Sequence, residues 1–172
     1  MGSAVIYGLY VSAATIVLSL IEYFTGLWSQ PSAGWLGLLS VAFLLFGILF
    51  CIQDRKKNEF NGSATYGQGF ASGMLVSLVA GVVAAIFMYV YASFINPELI
   101  DFIRSKAEQG MRENKMTQDQ IDQAMKITKI WISVGGQVLQ AFVGTILIGL
   151  ILSLIIAIFT RTKDANVEIV NG

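Results

Sequence analysis

The chain is poor in the residues that most often carry chemistry, since its 172 residues include no histidine, one cysteine and two prolines. Without histidine it lacks the commonest general base and metal ligand. The single cysteine, Cys51, excludes an internal disulfide framework and a cysteine-based metal cage. Charged residues make up 13% of the chain, with 11 basic and 11 acidic side chains, against roughly 25% in a typical soluble domain. This balance does not indicate a nucleic-acid partner.

The chain contains four long apolar runs, at positions 3–28, 35–52, 70–95 and 134–159. A helix needs about 20 apolar residues to cross a hydrocarbon core about 30 Å thick. The runs are continuously apolar and do not alternate, which predicts helices and not a membrane β-barrel. We therefore expect an all-α fold, an integral membrane four-helix bundle, formed as a single domain by residues 1–160.

Two features mark where the predicted spans leave the hydrocarbon. Trp28 and Trp35 flank a short uncharged turn, and tryptophan rings favour the headgroup level. The charge cluster at 53–59 follows the second span and is expected to lie in water, at the opposite boundary.

Residues 96–130 form the one sizeable aqueous segment, with six basic and six acidic residues. Asn96 is predicted to cap a helix with Pro97 at its first position, where the missing N–H donor costs nothing. A break is expected near 110–116. The segment is thus predicted to be an extramembrane helical hairpin between the third and fourth spans.

The second helix of this hairpin has a clear predicted start. Thr117 and Gln120 have the spacing of a capping box, in which each side chain bonds the other residue's backbone N–H. No proline follows, so this helix is expected to continue without a break into the fourth span.

With four crossings, both termini share a side with the 53–59 cluster. That side carries five basic residues and the 96–130 segment carries six. The concentration of basic charge at Arg55, Lys56 and Lys57 favours cytoplasmic termini under the positive-inside rule. Residues 161–172 are predicted to be a short flexible tail.

Small residues recur every fourth position on the third and fourth spans. Helices in lipid associate through close packing of small residues and through hydrogen bonds, so these stripes predict a bundle core or a seam between two copies. A pore or substrate groove lined by the same groups is the alternative. The predicted packing positions are Gly69, Gly73, Ser77 and Gly81 on the third span and Ala141, Thr145 and Gly149 on the fourth.

Glu22 is an acidic residue within an apolar run, where a charge is costly and often marks function. It shares a helix face with Ser12, Thr15 and Ser19. Its predicted partners are Gln137 and Gln140 on the fourth span, which would make an intramembrane polar site. An interfacial, purely structural role is the alternative, because Trp28 is only six residues away.

No catalytic, metal or cofactor site is predicted. Glu98 with Asp101, and Asp119 with Asp122, have a spacing that could hold a divalent cation, but among equal numbers of basic residues they are expected to be solvated surface charge. The sequence lacks a P-loop, a nucleophile elbow and a zincin signature. We therefore expect no enzyme activity and no cofactor.

Two motifs give the chain a family resemblance. The segment Tyr66-Gly67-Gln68-Gly69-Phe70 before the third span, and Tyr89 and Tyr91 leading into Ile95-Asn96-Pro97, accompany the four-span layout. In these features the chain resembles a family of small bacterial inner-membrane proteins, mainly from the Bacteroidetes, classed as a domain of unknown function. The resemblance implies location and topology and brings no catalytic residue.

Two functional hypotheses follow. The first is a non-enzymatic accessory or scaffold protein of the bilayer, which binds its own copy or another membrane protein through its small-residue helix faces. The second is a small transporter or channel, functioning as an oligomer because four helices enclose little space, that uses the polar row around Glu22.

Overall fold

The structure, a computed structural model, describes residues 2–30 and 34–162, and within these residues it is helical and contains no strand. Four helices in the described part are long and apolar enough to cross a membrane. The predicted all-α class with four membrane spans is confirmed. The helices are α1 (Gly2–Phe24), α2 (Leu36–Asn58), α3 (Tyr66–Val90), α4 (Leu99–Glu113), α5 (Gln118–Thr128) and α6 (Val134–Thr160), with a short 3₁₀ helix (Leu27–Ser29) and a π-helical turn (Tyr91–Ile95).

The first two spans differ from their predicted limits. The helix α1 ends at Phe24, four residues before Trp28, because Gly26 takes a left-handed conformation with φ of 72°. Left-handed glycine is a common helix terminator. The helix α2 continues six residues past Ile52 into the charge cluster, to Asn58. Residues 31–33 of the turn between them lie outside the described residues.

The third span begins at Tyr66, four residues before the predicted Phe70. A second capping box explains the earlier start. The backbone N–H of Thr65 donates to Gln68 Oε1 at 2.9 Å, and the N–H of Gln68 donates to Thr65 Oγ1 at 3.3 Å. This reciprocal pair satisfies two N–H groups that the first helical turn leaves without an intrahelical partner.

The hairpin segment is confirmed as helical, but the predicted cap at Asn96 is wrong. Glu98 occupies the N-cap of α4, and Asn96 is buried with its amide Nδ2 donating to the hydroxyl of Tyr91 at 3.3 Å. The capping box of Thr117 and Gln120 is present and opens α5.

The predicted continuous helix from the hairpin into the fourth span is also wrong. The chain leaves the helix after Thr128, and Ser133 caps a new helix by accepting a hydrogen bond from the N–H of Gly136 at 3.0 Å. A Cβ on Gly136 would crowd the carbonyl oxygens of Ile130 and Trp131. The turn is therefore built on a serine cap and a glycine that lets the backbone close up.

The chain divides into two compact units. The core unit comprises the described residues up to Val83 and from Val143 onward, and the hairpin unit is Ala84–Phe142. In the core unit four helices share one apolar core. Its buried members are Ala4 and Val11 of α1, Leu44, Ile48, Cys51 and Ile52 of α2, Val76 and Ala80 of α3, and Ile156 of α6.

The start of the predicted tail belongs to the core unit. The N–H of Thr162 donates to the carbonyl of Ala64 at 2.9 Å, and the N–H of Ala64 donates to Thr162 Oγ1 at 3.3 Å. These two bonds fix Thr162 beside the start of α3. The remainder of the tail, 163–172, lies outside the described residues.

Candidate functional site

The small-residue stripes of α3 and α6 meet inside the core unit. Gly73 faces Ser153 closely enough that a Cβ on the glycine would overlap the serine, and it would also lie 3.0 Å from Ile48 Cγ2. Gly149 faces Ser77 in the same way. These contacts bring the two backbones together within one chain, which is how small residues hold helices in lipid.

The other predicted packing positions have more varied surroundings. A Cβ on Gly69 would make ordinary contact, at 3.4 Å, with Ala157 of α6. Gly81 is buried on α3, and Ala141 and Thr145 are half-buried on α6.

Buried serines of the spans mostly bond to their own helices, as Ser12, Ser72 and Ser77 do. Ser12 donates to the carbonyl of Gly8 and Ser77 donates to the carbonyl of Gly73, both at 2.8 Å. Such bonds satisfy a hydroxyl within its own helix, without water. Among the fully buried side-chain N and O atoms of the described residues, the hydroxyl of Ser153 is the one that has no hydrogen-bond partner.

Arg55, near the end of α2, has more side-chain partners than any other charged residue that the structure describes in the core unit. It is 9% exposed, and the expectation that it lies in water with the rest of the 53–59 cluster is wrong. Its Nη1 donates to Ser72 Oγ of α3 at 2.8 Å, and its Nε donates to Glu59 Oε2 at 2.9 Å. Its guanidinium also lies 4.9 Å from the ring centre of Phe60. A cation with this many partners is a structural tie between α2 and α3.

The pKa of Glu59 is lowered by its contact with Arg55. The hydrogen bond from Arg55 holds the pKa of the Glu59 carboxyl below its ordinary value of 4.5. Ser3 of α1 also donates to this carboxylate, at 3.2 Å. The carboxylate and Arg55 together connect the ends of α1, α2 and α3.

Glu22 lies near the opposite boundary from Arg55. The first two helices pack side by side where a Cβ on Gly47 would overlap Val11. From this contact α2 runs about 12 Å to Arg55 and α1 runs about 16 Å the other way to Glu22. The two charges are thus separated by about 28 Å, close to one hydrocarbon thickness. This depth places Glu22 next to the headgroup region.

A polar cavity of about 290 Å³ surrounds Glu22 at this end of α1 and α2. The carboxylate is half-buried, and no hydrogen bond or ion pair to it is found within residues 2–30 and 34–162. The cavity is lined by Ser19 and Glu22 of α1, by Leu27, Trp28 and Gln30 of the turn, and by Gly34, Gly37 and Ser40.

Gln137 and Gln140 form hydrogen bonds to the turn before α6. Both side-chain amides donate to the backbone carbonyl of Trp131, at 3.0 and 2.9 Å. They hold this turn against the first turns of α6. Their pairing with Glu22 stays a prediction.

The Glu22 cavity combines one carboxylate with hydroxyl and amide groups. Such a set can accept a proton or bind a ligand that donates hydrogen bonds. In the described ranges, no three Asp, Glu or Cys side chains come together as metal ligands. Sequence reasoning found Glu22 but missed Arg55, although the spacing from Arg55 to Glu59 allows a helix ion pair.

The fold and these two polar ends define a four-span helical membrane protein. The family model described as Protein of unknown function (DUF4199) matches residues 6–162. The chain therefore belongs to that family, as its sequence resemblance implied. No curated protein and no solved structure matches it.

Proposed function

We propose that this protein is a non-enzymatic accessory or scaffold protein of the bacterial inner membrane. Its core unit anchors it in the bilayer, and its hairpin unit offers a helical surface outside the hydrocarbon. Its partners on this proposal are the lipid bilayer and either a second copy or another membrane protein.

The closed packing of α3 on α6 is the observation that carries this proposal. Gly73 with Ser153, and Gly149 with Ser77, lie in direct contact within the chain. The hydroxyl of Ser77 donates to the carbonyl of Gly73 on its own helix. A rigid, self-packed core of this kind suits an anchor, and it leaves the other helix faces to contact partners.

The proposed location has two supports. The resemblance to bacterial inner-membrane proteins favours the inner membrane. The basic run Arg55, Lys56 and Lys57, with Arg161 directly after α6, favours cytoplasmic termini. The hairpin unit would then lie on the outer side of that membrane.

Cross-linking in native membranes tests the scaffold proposal. A lysine-reactive reagent applied to whole membranes should trap the full chain in one larger species of defined mass. The control is Gly144→Leu, at a glycine with open space around it. This variant should fold like the parent, so its cross-linked species can be compared directly with that of the parent. A chain that stays at its monomer mass at every reagent concentration contradicts the proposal.

The Glu22 cavity favours a second function, a small transporter or channel. A carboxylate with no bonded partner among the described residues, in a polar cavity at the membrane boundary, could bind a cation or a proton on its way across. Purified protein in liposomes should then carry a proton or solute flux that Glu22→Gln abolishes. No flux under several imposed gradients contradicts this second function.

A further inference from the structure

A cleft of about 480 Å³ between α4 and α5 carries charges of both signs. Its basic side chains are Arg104 of α4, Lys126 of α5 and Lys129 of the following turn. Its acidic side chains are Glu108 of α4 and Asp122 of α5. The cleft lies entirely within the hairpin unit.

The two lysines of this cleft are available for a ligand. Over the described ranges, neither Lys126 nor Lys129 forms an ion pair or a side-chain hydrogen bond. Arg104 is partly engaged, since its Nη1 lies 3.4 Å from the carboxylate of Asp101. Because the cleft is open to solvent, a bound phosphate would meet two uncommitted ammonium groups.

The inner end of the cleft lies at the lipid boundary. Lys129 and Ile132 belong to the turn that directly precedes α6. The helix α6, which begins at Val134, is 27 residues long and apolar enough to cross a membrane. A helix of that length is sufficient to cross one hydrocarbon core. The turn therefore lies at the end of a candidate span, where the headgroups are expected.

Exposed apolar side chains on this turn and on the last turn of α5 support this depth. Ile127 is 74% exposed, Ile130 is 75% exposed and Trp131 is 52% exposed. Large apolar groups in such positions are costly in water but favourable against acyl chains. An exposed tryptophan beside a span is typical of the membrane interface.

We propose that this cleft binds the headgroup of an amino-phospholipid such as phosphatidylethanolamine. Lys126 and Lys129 bind the phosphate, and Glu108 and Asp122 accept hydrogen bonds from the primary ammonium. The acyl chains then lie against the apolar side chains of the turn. Phosphatidylcholine fits poorly because its quaternary ammonium has no N–H donor, and phosphatidylglycerol fits poorly because its headgroup leaves both carboxylates without a cation.

Fluorescence of Trp131 in nanodiscs tests the proposal on the full chain. Substitutions Trp28→Phe and Trp35→Phe leave Trp131 as the remaining tryptophan of the three. Brominated lipids quench tryptophan on contact, so quenching by each brominated lipid, diluted in unlabelled phosphatidylcholine, gives its relative affinity. We expect brominated phosphatidylethanolamine to bind about fivefold more tightly than brominated phosphatidylcholine. Equal quenching by the two lipids overturns the proposal.

Two double variants, one without the acidic residues and one without the lysines, separate ammonium binding from phosphate binding. Glu108→Gln with Asp122→Asn should abolish the preference for phosphatidylethanolamine and create one for phosphatidylglycerol. Lys126→Gln with Lys129→Gln removes the ligands of the phosphate, which all three lipids share, so it should lower the affinity for phosphatidylethanolamine without creating a preference for phosphatidylglycerol. Arg112→Gln, on the last turn of α4 and away from the cleft, should change neither. A phosphatidylethanolamine preference retained in Glu108→Gln with Asp122→Asn, or the parent's affinity retained in Lys126→Gln with Lys129→Gln, overturns the assignment.

Discussion

The two ends of the α1 and α2 pair each carry a charged residue, but the two residues differ in whether neighbouring helices bind them. At one end Arg55 is buried and bonded to Ser72 and Glu59. At the other end Glu22 faces a cavity, and in the described part of the chain its carboxylate has no bonded partner. The comparison shows that a charge within a span is not functional by itself. What distinguishes the two is whether neighbouring helices already satisfy it.

The largest expected effect is a loss of stability when a glycine is replaced by leucine at the Arg55 end and not at the Glu22 end. Gly73→Leu, near the Arg55 end, forces a bulky side chain against Ser153 and Ile48 and should reduce the free energy of unfolding by about 3 kcal/mol. Gly37→Leu, beside the Glu22 cavity, has nothing within 4 Å to meet and should change it by less than about 0.5 kcal/mol. Unfolding by SDS titration in mixed micelles measures both. Equal losses at the two sites would contradict the packing described for α3 and α6.

Removing the buried cation should have the next largest effect. Arg55→Met leaves Ser72 and Glu59 without their guanidinium donor and should cost about 2 kcal/mol in the same SDS titration. Lys57→Met, at an exposed position on the same helical turn, is the matched control and should cost little. If the two variants are equally stable, Arg55 does not tie the helices.

Neutralising the other charge should hardly change stability. Glu22→Gln keeps the size of the side chain and removes no hydrogen bond found among residues 2–30 and 34–162, so the free energy of unfolding should stay within about 0.5 kcal/mol of the parent. The measurement is the same titration at neutral pH. A loss above about 1 kcal/mol would show that Glu22 is held by a bonded partner, as Arg55 is.

The smallest expected effect is a pH dependence at the Arg55 end. The pKa of Glu59 is lowered by the hydrogen bond from Arg55, so its stabilising contribution is complete above the ordinary value of 4.5 and is lost as pH falls through the lowered pKa. The thermal midpoint of the parent should therefore fall more between pH 5 and pH 3 than that of Arg55→Met. Parallel pH profiles for the two proteins would exclude a stabilising role for this ion pair.

The spans could be predicted from sequence because a bilayer imposes one length and one polarity on any helix that crosses it. Local caps were predictable where a side chain bonds a backbone group three residues away, as Thr117 and Gln120 do. The same rule would have found Thr65 with Gln68. The cap at Ser133 was missed because the prediction of a continuous helix rested on the absence of proline and overlooked the pair Gly135-Gly136, which disfavours a helix interior.

The candidate sites were only partly predictable, because they depend on distances between helices. Glu22 was evident as an acid in an apolar run, but the cavity depends on how the turn after α1 folds back toward α2. The burial of Arg55 depends on Ser72 of another helix lying within its reach. Neither fact is encoded in local spacing.

Cys51 gives this membrane protein a built-in reporter of its own opening. It is the one cysteine of the chain, and its thiol is completely buried in the core shared by α1, α2, α3 and α6. A membrane-permeant maleimide can reach it only when these helices separate. The alkylation rate of the unmodified protein therefore reports how often these helices separate within the lipid. The measurement needs neither a denaturant nor an introduced label.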